Sequence, residues 1–323
     1  MSYLTKYGTL WGMIPNTTGR VFFVAPSNSY TLEGRTYSAS NDNDGLAPDR
    51  AVRTLARAAA LVSANVGDVV FLLPGTHTLT AVATLSTAGV TYTGVPSATP
   101  NYRQRGAGGG TQARSIVTAA ASTNAINITA IDVEIAYLHF TAVSGQRSIS
   151  LSNAADRAYL HDLTFDMASA AESTSTIGIG LNFSGTGTTT TLDDVIVRNC
   201  YFNVAGGQGG AIEAANTCVG TMIESSTFKL GGNTAWANAI LFGTGVSVGT
   251  SVRDCDFLVH ATGTTITDAI DAVANTVDGS NTVYRCYVPV GGGAFNCAAT
   301  ADGIVVDSYT AGTTGTSTVL LVT

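Results

Sequence analysis

VIVRNCYF, residues 195–202, decides how this chain folds. Strand alternation turns Val195 and Val197 to one side and Arg198 to the other. Asn199 is a residue type that tolerates turn geometry. Beyond it, Cys200 and Phe202 face the apolar side again and Tyr201 faces out. The pattern recurs as IAYLHF (135–140), YLHDLTF (159–165), MIESSTF (222–228), VRDCDF (252–257), VYRCYV (283–288) and VVDSYT (305–310). Successive copies end 25, 37, 26, 29, 31 and 22 residues apart. A strand unit recurring every 20–40 residues marks a stacked solenoid, in which each unit buries its apolar side against its neighbours.

The charges set the register. Shifting any copy by one residue would bury Arg198, Glu224 or Arg253, which is costly. Thr250, Val252, Cys255 and Phe257 are therefore expected inside one coil, and Ala158, Leu160, Leu163 and Phe165 inside another. Cys200, Cys255 and Cys286 should form one unbridged inward column beside a stack of Phe165, Phe202, Phe228 and Phe257. His161, Arg198, Glu224, Arg253 and Tyr284 share one outward slot and predict a surface charge ladder. A second strand precedes each copy, anchored at Ile126, Ile149, Ile179, Ile212, Ile240, Ile270 and Phe295. Two or three strands per coil predict an all-β chain, a right-handed parallel β-helix. The alternative is a β-sandwich, which would need hairpins and would not repeat one asymmetric motif.

Composition agrees. Of 323 residues, 36 are glycine, and only 11% are charged, against roughly 25% in ordinary soluble domains. Net charge is −7 with no basic run, so nucleic acid is not an expected partner. No apolar stretch reaches the roughly 20 residues of a membrane span. The N-terminus lacks the apolar core of a signal peptide, and assembly in a cytoplasm is the expectation. The cysteines lack metal-type spacing.

Residues 1–30 are expected to be an aromatic-rich arm, carrying Tyr3, Tyr7, Trp11, Phe22, Phe23 and Tyr30. It either packs along the domain or docks on a partner through Tyr3, Tyr7 and Trp11. Residues 31–323 are expected to form the β-helix domain. A helix over about 48–65, with Val52, Leu55, Ala59 and Val62 on one face, should cap its open end. Coils should follow from about 66 to 323. Residues 95–114, with three consecutive glycines, read as a loop.

NDNDGLAPDRAVRTLARAAALVSANVGDVVFLLPGTH, residues 41–77, resembles the opening segment of pectin-lyase-like β-helix proteins, including phage tailspikes and other virion β-helices. There a DG turn, a capping helix and a strand ending in PG open the coil stack. The resemblance covers roughly residues 40–310. It implies the fold, but this scaffold hosts unrelated activities: pectate lyases, polygalacturonases and capsule depolymerases, and also non-enzymatic virion parts.

Glycosidase chemistry needs paired carboxylates about 5 Å or 6.5–9.5 Å apart. Asp193-Asp194 lacks the NTD, GHG and RIK companions of polygalacturonases and reads as turn chemistry. Glu213 and Asp271 share an outward slot two coils apart, with Leu241 between them. Arg253, Asp254 and Asp256 are adjacent but diverge. His77, His139, His161 and His260 read as turn or surface residues without metal spacing. No catalytic, metal or cofactor site is assigned from the sequence. The preferred reading is a phage virion protein, a capsid decoration or cement trimer bound to the major capsid protein or another virion protein. The alternative is a tailspike with polysaccharide depolymerase activity. Outward Tyr201, Leu241, Tyr287, Val306 and Tyr309 are the expected subunit contacts.

Overall fold

The computed structural model describes residues 17–32, 34–96, 114–119, 124–141, 147–152, 154–167, 177–179, 191–205, 211–214, 217–231, 236–242, 245–259, 266–272, 275–277, 281–288, 293–297, 304–311 and 317–319.

Five of the seven repeats are cut into two strands by one residue in the left-handed backbone region, whereas the last two lie within the single strands Asn281–Val288 and Ile304–Ala311. At Asn199, φ is 50°, and the chain turns between strands Ile196–Arg198 and Tyr201–Ala205. Tyr137, Asp162, Ser225, Asp254 and Arg285 repeat that conformation at the same corner, with φ of 55°, 53°, 50°, 54° and 51°. The corner is itself a hydrogen-bonded column. Asp162 N–H donates to Arg198 C=O, Asn199 to Glu224, Ser225 to Arg253 and Asp254 to Tyr284, at 3.0–3.1 Å. These bonds offset the roughly 1–2 kcal/mol that an L-residue loses there. A second left-handed corner precedes five of the repeats, at Asp132, Arg157, Asp194, Gly220 and Gly249, and Gly89 holds the same conformation before Thr91–Thr93.

Coils stack in parallel register. Leu160, Val197, Ile223, Val252 and Val283 lie over one another in turn. Among the described residues an 18-stranded sheet holds both halves of the repeats, beside sheets of eight and four strands. With the right-handed crossover that parallel strands take, this is the expected right-handed parallel β-helix. The stack closes at Ile304–Ala311, which pairs antiparallel with Ser317–Val319.

The core follows the expected columns. Phe165, Phe202, Phe228 and Phe257 are fully buried, and Phe140 extends their stack. Neighbouring ring centroids are 4.8–5.1 Å apart, and the rings are within 13° of parallel. Cys200, Cys255 and Cys286 are buried free thiols. Along the chain one inward column becomes more polar. Val90, Val133, Ala158 and Val195 give way to Thr221, Thr250 and Asn281, all buried. Asn281 Oδ1 accepts from Thr250 N–H at 2.8 Å.

The structure revises three expectations. In the second sheet Ile149 pairs with Ile177, not Ile179, and the column continues through Ile212, Ile240, Ile270 and Phe295. A two-residue slip keeps the same face inward, so alternation could not detect it. The expected 48–65 helix shrinks to a 3-10 turn at Pro48–Arg50 and an α-helix at Leu55–Ala59. Between them Val52 bridges to Val24 as a strand would. Thr54 caps the short helix, its Oγ1 accepting from Arg57 N–H at 3.2 Å. Leu55 and Ala58 still bury against Phe22, Val24 and Leu85 at the end of the stack. The 1–30 arm is also too long. Val21–Val24 pairs in parallel with Val69–Leu72 as the first rung, and Phe22, Phe23 and Tyr30 are core residues. Tyr3, Tyr7 and Trp11 lie outside the described residues.

Candidate functional site

The outward face of the 18-stranded sheet carries a run of ion pairs and hydrogen bonds. Strand register aligns Ala136, His161, Arg198, Glu224, Arg253, Tyr284 and Asp307 in one column. The expected ladder from His161 to Tyr284 is therefore present. Arg198 Nε lies 3.3 Å from Glu224 Oε1, and Arg253 Nε 2.7 Å from Oε2. Glu224 is less exposed than a surface ladder implies, at 8%, because two guanidinium groups from adjoining coils close over it.

One end of the column holds a cluster that sequence reading missed. His161 Nε2 is 2.8 Å from Glu134 Oε1, and Nδ1 is 2.7 Å from Asp162 Oδ2. Both ring nitrogens therefore donate, and the ring is an imidazolium. Burial lowers its pKa, but bonds to Asp162 and Glu134 outweigh this and raise it to about 9. The His161 hydrogen bond in turn lowers that of Glu134. Tyr159 stacks on the ring at 4.2 Å, and Tyr137 meets it edge-on at 5.7 Å. Thr91 Oγ1 donates to Glu134 Oε2 at 2.9 Å, and Asn199 Nδ2 donates to Asp162 Oδ1. The network clamps successive coils together. Its sequence signal was faint: His161 and Asp162 adjoin, but Glu134 is 27 residues away and meets them only through coil stacking.

The other histidines divide. His77 is buried, with Nε2 2.8 Å from Leu73 C=O. Burial pushes its pKa down to about 4, which corrects the expected turn or surface role. His139 pairs in register with Thr164, away from the His161 slot. His260 lies outside the described residues.

The carboxylate candidates separate as well. Asp194 occupies a left-handed corner with φ of 56°, the turn role expected of Asp193-Asp194. Glu213, Leu241 and Asp271 do align. Arg147 Nη2 reaches Glu213 Oε2 at 3.0 Å, across the coil where Gly178 occupies the same slot. Asp254 pairs with Arg285 at 2.6 Å. Asp256 sits between Thr227 and Tyr287, and burial raises its pKa. Among the described residues no three His, Cys, Asp or Glu side chains converge as metal ligands.

The expected contact residues whose side chains are described, Tyr201, Leu241 and Tyr287, differ in place and exposure. Tyr201, Asp256, Tyr287 and Tyr309 belong to one outward column. Tyr201 is only 9% exposed, whereas Tyr287 is 42% exposed. Leu241 is half-buried on the second sheet. Val306 pairs with inward Val283, so its register position belongs to the core column, not the outward set. The side chains of Val306 and Tyr309 are outside the described residues. Tyr284, 41% exposed, was not among the expected contacts. The Arg285 guanidinium lies 4.8 Å above its ring.

No protein-family model matches the chain, and no curated protein matches it. Among solved structures it is similar to a pectin methylesterase in complex with a hexasaccharide. Identity there is 11%, with 92% of this chain and 91% of that one covered and a TM-score of 0.47. It is similar to an alginate lyase from Paenibacillus sp. str. FPU-7, at 15% identity over 74% and 90%, with a TM-score of 0.37. It is also similar to the Geobacillus virus E2 protein ORF18, at 10% identity over 79% of this chain and 57% of that one, with a TM-score of 0.27. The class of this chain, a parallel β-helix, rests on its own strand register.

Proposed function

We propose that the chain is a non-enzymatic structural protein of a bacteriophage particle, a β-helix that decorates the capsid shell as a homotrimer. The observation that carries this reading is how the outward acids are used. Glu134 is clamped by His161 and Thr91, and Glu224 by Arg198 and Arg253. Carboxylates held this way join coils; a general acid or base needs a free hydrogen-bond path to substrate. The likeness of residues 41–77 to the opening segments of virion β-helices supports the particle context. Exposed Tyr284 and Tyr287 beside Arg285 supply the residue types that anchor subunit contacts. Residues 1–16, with Tyr3, Tyr7 and Trp11, tie the β-helix to the major capsid protein or another virion protein.

Three measurements test this. Quantitative mass spectrometry of particles should find hundreds of copies; a handful would point to a tailspike. Incubation with host polysaccharide should leave its chain length unchanged, and shortening would overturn the non-enzymatic reading. Deleting residues 1–16 should leave a folded trimer that no longer joins particles. The cut must stop there, because Arg20 pairs with the buried carboxylate of Asp68 at 2.8 Å.

A further inference from the structure

Cys255 and Cys286 occupy the same inward slot on adjoining coils. Arg253 pairs with Tyr284 and Asp256 with Tyr287, which brings the intervening cysteines into register. Adjacent strands lie about 4.8 Å apart, inside the roughly 4.4–6.8 Å Cα separation that a disulfide spans. The two thiols take the same pose one coil apart: Cys255 Sγ donates to Ile223 C=O at 3.7 Å and Cys286 Sγ to Val252 C=O at 3.6 Å. Both are buried, at 0% and 1% exposure. Cys200 shares the column but lies two coils away. Ser226 stands between, its Oγ accepting from Cys200 N–H at 3.2 Å. One inward column beside the pair has turned polar, at Thr250 and Asn281, so apolar burial at that column holds these coils less firmly than those before them.

We infer that Cys255 and Cys286 are an oxidisable pair, forming an intrachain disulfide that staples adjoining coils once the protein meets a small-molecule disulfide oxidant. The thiolate of one cysteine attacks the oxidant R–S–S–R and releases one RSH. The second cysteine then displaces the other R–S⁻ from the mixed disulfide, which leaves as RSH. Two thiols lose their protons, one S–S bond breaks and one forms, and the oxidant takes both electrons. Burial suppresses the thiolate in the closed state. The exchange therefore proceeds through transient opening of these coils, and the disulfide suppresses that opening afterwards.

The test incubates the full-length folded protein with oxidised glutathione, blocks remaining thiols under denaturing conditions and maps peptides without reduction. Under denaturing conditions the expected product runs as a single chain with no link between chains, is lighter than the reduced chain by two hydrogens, and carries a Cys255–Cys286 linked peptide. Its thermal midpoint should exceed that of the reduced protein by roughly 5 °C. Cys286→Ser should abolish both the link and the shift, while Cys200→Ser should keep them. Recovery of Cys255 and Cys286 as free thiols after prolonged incubation would overturn the inference. So would a link from either to Cys200, or a link between chains. If Cys286→Ser fails to fold, the peptide map of the unsubstituted protein decides alone.

Discussion

Truncating Phe228 to alanine tests the register at its most sensitive point. The ring is fully buried. It lies 4.8 Å from Phe202 and 4.9 Å from Phe257, within 9° of parallel to both. Large-to-small changes at such sites cost about 3–5 kcal/mol, because the strands on either side are pinned by ladder bonds and cannot collapse into the cavity. Part of that cost is ring stacking, about 0.5–1.5 kcal/mol per aromatic pair. Phe228→Leu keeps most of the volume and should cost less, about 1–2 kcal/mol. Guanidinium denaturation followed by circular dichroism measures both variants against the unsubstituted protein. A double-mutant cycle with Phe202→Leu should show coupling above about 0.5 kcal/mol. A loss below 1 kcal/mol for Phe228→Ala would refute the stacked register, as would equal losses for the alanine and leucine variants.

The His161 clamp makes stability depend on alkaline pH. Its folded pKa of about 9 exceeds the ordinary 6.5. Its contribution, at most about 3 kcal/mol, is therefore complete below pH 6.5 and lost as pH rises through 9. Glu134→Gln should flatten that decline between pH 7 and 10, and an unchanged slope in denaturation midpoints would contradict the clamp. Glu224→Ala leaves Arg198 and Arg253 facing each other and should cost about 1 kcal/mol, more at low salt than at high. A salt-independent effect would point to lost packing instead. Gly220→Ala should cost about 1–2 kcal/mol. Its φ is +66°, and a Cβ there meets Asp194 Oδ1; a neutral result in thermal melts would mean that this corner relaxes.

Side-chain type along the chain was enough to determine the coil period, the inward columns and the outward ladder. Alternation and the cost of burying Arg198 or Arg253 are local constraints, repeated in every coil. The Asn199 corner was legible for the same reason, since Asn, Asp and Ser advertise the left-handed conformation. Tyr137 and Arg285 adopt it without such a signal, held there by the stack.

Other features depend on how far one coil slides over the next, and only the tertiary structure decided them. Ile177 and Ile179 face the same way, so the choice between them is made by the neighbouring rung. Val52 leaves its helical pattern because Val24, 28 residues earlier, offers a backbone bridge. Phe22 and Phe23 looked like part of an arm until Val69–Leu72 supplied their partner strand. Tyr201 alternates outward as expected yet is covered. Glu134, His161 and Asp162 become one site only because in-register stacking places distant residues about one strand spacing apart, a separation no local pattern encodes.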